Sequence, residues 1–283
     1  MRMPPIVLTL LAGCWVFVCG LHASSEPVGA SVDGNSSLVA TNRLWFQVGE
    51  ELVYAGYWGP LTVGEARLWT EWVEEGGRKL LAIKFIAKSS YVVSALYPVN
   101  DALESIVDPE TFLPLRLTQN IREGDKERDD TITFDHKAGK AVWKSCRAAS
   151  TNASKEIAIQ ADTRDILSFM FYMRVKSFVV GKTEASKLLF DDKEYQLTVT
   201  GLKYEDVYLS HFGDVRCLEI EPKAKFGEVF VKKGSINMWI SDDERRICTK
   251  AMAVVPVANV KMVLQSVKGS GDDFWTSGKK KKK

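Results

Sequence analysis

Apolar and polar side chains alternate with a period of two along much of this chain, and Gly, Pro, Asn and Asp break the alternation at short intervals. That period puts successive side chains on opposite faces of an extended strand. Lys79–Lys88 shows it most cleanly, with Leu81, Ile83, Phe85 and Ala87 on one face and Lys84 and Lys88 on the other. Glu51–Tyr57, Leu61–Val73, Val99–Val107, Leu113–Arg122, Arg128–Phe134 and Lys140–Lys144 continue the pattern. Within Leu113–Arg122, Leu115, Leu117 and Gln119 oppose Arg116, Thr118 and Asn120. Later candidates are Val179-Val180, Leu188–Phe190, Tyr195–Gly201, Val215–Glu221, Ser235–Ile240, Ile247–Val255 and Asn259–Gln265. Gly59-Pro60, Glu74-Glu75-Gly76-Gly77 and Glu123-Gly124-Asp125 read as turns between them. Residues 148–156, small and polar, read as a loop. Ser89–Tyr97 fits either a short helix beginning at Ser89 or Ser90, or an irregular strand.

One segment has the helical period. Asp162–Lys176 carries Ile166, Leu167, Phe169, Met170 and Met173 on a broad apolar face, with Asp162 as the expected N-cap and Asp165 three residues on. Such a helix needs an apolar partner, and the concave or open side of a sheet supplies one. The expected fold class is mainly β: a large curled antiparallel sheet, a sandwich or an incomplete barrel, with one packed helix. The strands before and after the helix read as one domain, residues 45–266. No long Pro/Ser/Gly linker separates them, and each half alone would leave an edge and an apolar face exposed.

The segments outside that domain differ in character. Pro5–Leu21 is a nearly continuous apolar run of about 17 residues after Arg2, followed by Ala23, Ser24 and Ser25. This is the order of a secretory signal, assigned to residues 1–25, and 26–44 reads as a flexible lead-in. Two processing readings stand beside each other: ordinary cleavage between Ala23 and Ala30, or lipidation at Cys14 in Leu10-Leu11-Ala12-Gly13-Cys14. An uncleaved N-terminal membrane tether is a third. Residues 267–283 read as a disordered tail ending in five lysines.

Charge then changes the picture only slightly. The formal net charge is +2, but the lysine run and Arg2 supply six of the 38 basic residues, leaving 32 against 36 acidic. The body is mildly acidic, which argues against a nucleic-acid-binding face. Histidine is scarce, with His136 and His211 isolated, and the spacing of Cys146, Cys217 and Cys248 has no metal-ligand pattern. One disulfide with a free thiol and three single thiols are both open. No GxSxG, HExxH, P-loop or GxGxxG occurs, so no metal, cofactor or catalytic set is expected. The tryptophans are more informative. Trp58, Trp69, Trp143 and Trp239 fall in or beside strands, where they fit either a thick aromatic core or the wall of an apolar pocket closed by the helix.

Asp108-Pro109-Glu110-Thr111-Phe112-Leu113-Pro114-Leu115-Arg116 resembles a signature of an uncharacterised family of Gram-negative envelope proteins, domain of unknown function 3108. The order of Gly49–Tyr54, Val63–Ala66, Glu127–Asp130, Asp165–Arg174, Cys217–Pro222 and Met238–Cys248 is similar to that family as well. Cys248 stands where the family usually shows proline, and Gly213–Cys217 is altered. The resemblance implies export and a β-rich fold similar to the curled sheets of periplasmic lipoprotein carriers. It implies no activity, catalytic set or ligand. Among the matched residues, Arg116, Arg128, Asp129 and Arg174 are candidates for an ion-pair network, and Arg116, Arg128 and Arg174 for holding a ligand headgroup. The sequence therefore points to an exported, periplasmic or membrane-tethered protein that binds an apolar ligand such as a lipid, or a lipoprotein. An assembly protein using an exposed sheet edge is the alternative, with an enzyme third.

Overall fold

The computed structural model describes residues 44–147, 150–226, 229–230, 235–255 and 258–269. The signal segment with Cys14, the lead-in to residue 43, residues 148–149 of the expected loop, and 270–283 of the tail lie outside the described residues.

The period-two segments form strands, except Val179-Val180, where only an isolated bridge from Val180 to Gly201 forms. The first half contributes β1 (Glu51–Trp58), β2 (Leu61–Glu75), β3 (Arg78–Ser89), β4 (Asn100–Val107), β5 (Pro114–Glu123), β6 (Lys126–Asp135), β7 (Lys140–Arg147) and β8 (Ser150–Ala158). The second half contributes β9 (Thr183–Phe190), β10 (Lys193–Leu209), β11 (Gly213–Phe226), β12 (Val229–Phe230), β13 (Ser235–Ser241), β14 (Cys248–Val255) and β15 (Ala258–Lys268). Among the described residues two helices complete the set, α1 (Tyr91–Ser94) and α2 (Ile166–Met173). The antiparallel order is β8-β7-β6-β5-β4-β3-β2-β1-β15-β14-β13-β11-β10-β9, with β12 paired to β11 off this path. The two halves are thus meanders joined where β1 pairs with β15, from Glu51 opposite Lys268 to Trp58 opposite Val260. Among the described strands the ladder does not close: β8 and β9 are its ends.

Several expectations shift in detail. Ser150–Ala158 is a strand, not a loop, because its backbone pairs with β7 from Ser150 opposite Arg147 to Ala158 opposite Lys140. Its polar sequence suits an end strand whose side chains at 153–156 are exposed. β10 continues eight residues past Gly201 to Leu209, with a bulge between Gly201 and Lys203. β15 runs to Lys268, into the segment read as tail. Ser89–Tyr97 contains the one-turn helix α1, anchored by buried Val93. No disulfide joins Cys146, Cys217 and Cys248 to one another.

The helix also starts later than expected. Arg164 pairs with the edge of β9, its N–H donating to Lys187 O (3.1 Å) and its carbonyl accepting from Leu189 N–H (2.8 Å). That holds the backbone extended up to Asp165, which becomes the N-cap in place of Asp162 and accepts from Ser168 N–H at 2.8 Å. Asp165 is fully buried, and Ser105 Oγ on β4 donates to it at 2.5 Å. The cap therefore fixes α2 against β4 as well as starting it.

On the inner face, one rung crosses seven strands: Leu52, Leu68, Phe85, Leu103, Gln119, Asp130 and Ser145 are successive cross-strand partners from β1 to β7. The first four belong to the main apolar core. A second cluster gathers Phe169 of α2 with Leu188, Phe190, Leu197, Val199, Leu218 and Ile220 of β9–β11. A third, small cluster of Leu80, Ala82 and Ile106 lies apart from both, with Leu115 packed on it. A bulge between Ile106 and Val107 shifts the β4–β5 register, so Leu115 departs from the face of Leu117 and Gln119.

Candidate binding cavity

Between α2 and the sheet lies a cavity of about 120 Å³. Ile166, Phe169, Met170 and Met173 of α2 form one side. Leu188, Phe190, Leu197, Val199, Ile220 and Met238 of β9–β13 form another, and Leu52, Tyr54 and Leu68 of β1 and β2 complete it. The wall follows from strand parity, since Leu218, Ile220, Met238 and Ile240 alternate with Glu219 and Trp239 on the other face. The helix contributes because its N-cap at Asp165 turns Phe169 and Met173, four residues apart, the same way. Tyr54 adds one polar group, but its hydroxyl donates to Cys248 O at 3.0 Å. Burial pushes that hydroxyl well above its ordinary value, so it stays neutral.

Charge enters at one end. Arg174 and Arg246 line the cavity, and both are tied to the fold. Arg174 Nη1 and Nη2 donate to the Glu50 carboxylate at 2.6 and 3.3 Å, and its Nε donates to Arg245 O at 2.8 Å. Arg245 Nη2 donates to Glu50 Oε2 at 3.0 Å. Burial alone would raise the Glu50 pKa, but the Arg174 and Arg245 guanidinia outweigh it and hold the carboxyl below the usual range. Arg246 Nη1 donates to the carbonyls of Arg174, Val175 and Lys176 just past the end of α2. A cation there meets the carbonyl end of the helix. Arg164, just before the α2 cap, has its guanidinium 3.8 Å from the ring centroid of Tyr172 in the last turn of the helix, and it donates to Phe112 O. Burial lowers its pKa, opposed by Tyr172 and the nearby Asp162 and Asp165.

The residues expected to form a site are dispersed. Arg174 lies at the cavity, while Arg116 pairs with Glu75 on the surface at 2.6 Å. Arg128 lies 3.1 Å from Asp130 and 3.0 Å from Asp191, and Asp129 pairs with Arg122 at 2.8 Å. The expected four-residue network is therefore separate pairs. None of Trp58, Trp69, Trp143 and Trp239 lines the cavity. Trp58 is half-buried against the main core and Trp143 is buried within it. Trp69 is half-buried beside Arg67 and Glu71. Trp239 is buried on the strand face opposite Met238, donating to Glu205 with Lys250 Nζ 3.5 Å from its ring. Sequence reasoning missed Glu50, Arg245 and Arg246. Their signal was present in the matched runs Gly49–Tyr54 and Met238–Cys248, but nothing local tied residue 50 to residue 245.

Among the described residues, no helix is long and apolar enough to cross a membrane, and no cluster of three or more His, Cys, Asp or Glu is placed to hold a metal ion. No curated protein matches the chain. A solved structure from Brucella abortus, described as a beta-barrel-like protein of domain of unknown function DUF1849, is similar with a TM-score of 0.53 and 12% identity, covering 78% of this chain and 97% of that one. At that identity the likeness concerns the fold alone. The model of the family described as protein of unknown function (DUF3108) matches residues 53–265, and the chain belongs to that family.

Proposed function

We propose that the protein is a non-enzymatic binding module of the cell envelope that takes a single apolar chain, such as the acyl tail of a lipid or lipoprotein, between α2 and the sheet. The observation that carries this reading is the cavity of about 120 Å³ walled by aliphatic, aromatic and methionine side chains. Cavities of about 150 Å³ with such walls stay dry and accept benzene-sized guests, whereas drug-sized ligands occupy roughly 300–1,000 Å³. The size therefore favours the end of one chain over a whole folded lipid. The three methionines among the lining residues add adaptable walls.

A curled, incompletely closed sheet suits this role. Its support is the β9–β10 turn, whose Asp191 and Asp192 pair with Arg128 of β6 and Lys155 of β8, drawing the two ends of the sheet towards each other. Export, with the chain free in the periplasm or tethered at its N-terminus, rests on the apolar run before Ala23. The alternative, strand addition at an open edge, has one observation in its favour: Arg164 covers part of β9, whereas no described strand pairs with the outer side of β8.

Native mass spectrometry of protein released gently from the envelope is expected to show a bound single-chain lipid. Val199→Trp, which fills the cavity, is expected to abolish both that adduct and the binding of a fluorescent fatty acid. Bare protein that also ignores the fatty acid overturns the reading. So does a filled-cavity variant that still binds.

A further inference from the structure

The inner-face rung that begins with Leu52 and Leu68 at the apolar cavity ends in three polar residues, Gln119, Asp130 and Ser145. All three are buried, Gln119 and Asp130 completely. Solvent exposure does not account for their polarity. On the neighbouring inner-face rung of the same three strands stand Leu117, Ile132 and Trp143, also buried. Asp101, two residues before the Gln119 partner Leu103, adds a fully buried carboxyl to the same face.

Asp101 Oδ1 accepts from the Arg122 N–H at 2.8 Å, but six other side-chain atoms of these residues have no hydrogen-bond partner. Both amide atoms of Gln119, both carboxylate oxygens of Asp130, the Ser145 hydroxyl and Asp101 Oδ2 are buried and make no hydrogen bond. Arg128 Nε approaches Asp130 Oδ2 to 3.1 Å, an ion-pair distance without hydrogen-bond alignment. Leaving one such group unsatisfied is destabilising, so six atoms on one face need an explanation.

Their chemistry selects the complement. Acceptors dominate: two oxygens on Asp130, one on Gln119 and, once it is ionised, one on Asp101, against the Gln119 amide N–H and the Ser145 hydroxyl as donors. Arg128 is shared between Asp130 and Asp191, so these three groups carry a net negative charge when ionised. A donor-rich cation answers both features. A bare metal ion does not, since no ligating cluster of three is in place among the described residues. We propose that the inner face of β5–β7, with Asp101 of β4, is a second site that binds a primary ammonium group, the amide of Gln119 and hydroxyl of Ser145 serving a neighbouring oxygen of the same molecule. The ligand class is an amino alcohol or an amine-bearing headgroup. None of these residues lines the apolar cavity, so this site and the acyl-chain reading stand or fall separately.

Isothermal titration of the full chain tests it, with ethanolamine as probe and choline, which has no N–H to donate, as control. Ethanolamine is expected to bind saturably and at least about tenfold tighter than choline, the value of a charge-assisted hydrogen bond. Asp130→Asn and Ser145→Ala are expected to weaken it, by about tenfold and less respectively. Phosphatidylethanolamine vesicles that bind where phosphatidylcholine vesicles do not assign the amine to a lipid headgroup. Binding of ethanolamine without vesicle binding assigns it to a soluble amine. Absence of saturable ethanolamine binding, or equal binding of choline, overturns the proposal without reliance on any variant. Unchanged affinity in a folded Asp130→Asn protein overturns it too and leaves water as the partner of these atoms.

Discussion

Replacing Glu50 by glutamine is the most demanding perturbation of the α2 anchorage. Glu50 is 3% exposed and accepts three donor contacts, from Arg174 Nη1 at 2.6 Å, Arg174 Nη2 at 3.3 Å and Arg245 Nη2 at 3.0 Å. Glutamine keeps the volume but removes the charge and points an amide N–H at a guanidinium. Arg174 is itself only 8% exposed, so its charge would be left buried without its partner. Removing one member of a buried pair costs about 3–5 kcal/mol, a large part of the roughly 5–15 kcal/mol that stabilises a typical domain. The effect carries a pH signature. The Glu50 carboxyl is held below its ordinary value of 4.5, burial opposing and the two guanidinia prevailing. Such a group contributes stability that is complete above its unfolded-state value and is lost as pH falls through the folded one. The deficit of Glu50→Gln against the wild type should therefore be full at about pH 7 and shrink as pH falls below the ordinary value and through the lowered folded one, where the wild-type carboxyl also becomes neutral. Urea unfolding followed by tryptophan fluorescence measures both. A deficit below about 1 kcal/mol at neutral pH, or one that persists unchanged in acid, would refute the buried-pair argument. Adding Arg174→Met to Glu50→Gln should recover part of the loss, because it removes the stranded charge.

Other perturbations read other parts of the fold. Burial raises the Asp101 pKa to about 7, so the folded chain holds a proton that the unfolded chain releases. Its contribution then becomes less favourable as pH rises from about 4 to about 7, and Asp101→Asn should flatten the Tm-versus-pH profile across that window; an unchanged slope counts against it. Gly64→Ala would drive a Cβ into the Lys88 carbonyl oxygen across the β2–β3 ladder. The backbone must shift, and a loss of about 1–3 kcal/mol in the urea midpoint is expected. Burial pushes the Cys217 thiol up to about 11, whereas Cys146 is exposed. Alkylation followed by peptide mapping should modify Cys146 in the native protein and Cys217 only on unfolding; early modification of Cys217 would show that β11 opens locally.

Strand positions were legible because the period-two signal is local. Lys79–Lys88 needs no distant residue to show which face is apolar, and β3 buries Leu81, Ile83, Phe85 and Ala87 as the alternation requires. The departures come from tertiary constraints. Ser150–Ala158 has little apolar pattern and is a strand because β7 offers it a ladder. The Asp162 signal lost to Asp165 because the intervening backbone pairs with β9. Leu115 and Gln119 were grouped by even spacing, but the bulge opposite Val107 moves Leu115 away while Gln119 stays on the inner face.

The cavity was less legible than the strands for a reason of parity. Tryptophan drew attention as the largest apolar side chain, yet a large ring fills a core or covers a strand face more readily than it leaves space. Trp239 illustrates this: it lies between Met238 and Ile240, both of which line the cavity, and faces the other way onto Lys250. The wall is built instead from residues ordinary in any β core, among them Leu197, Val199 and Ile220. What distinguishes them is that α2 spans the sheet without filling the space beneath it. That spacing depends on three anchors remote from one another in sequence: Asp165 on Ser105, Arg174 on Glu50, and Arg246 on the carbonyls past the helix end. A residue pattern can mark each anchor as polar within an apolar run. The gap exists only once all three hold the helix at a fixed height, so its size is a property of the assembled fold and of no single segment.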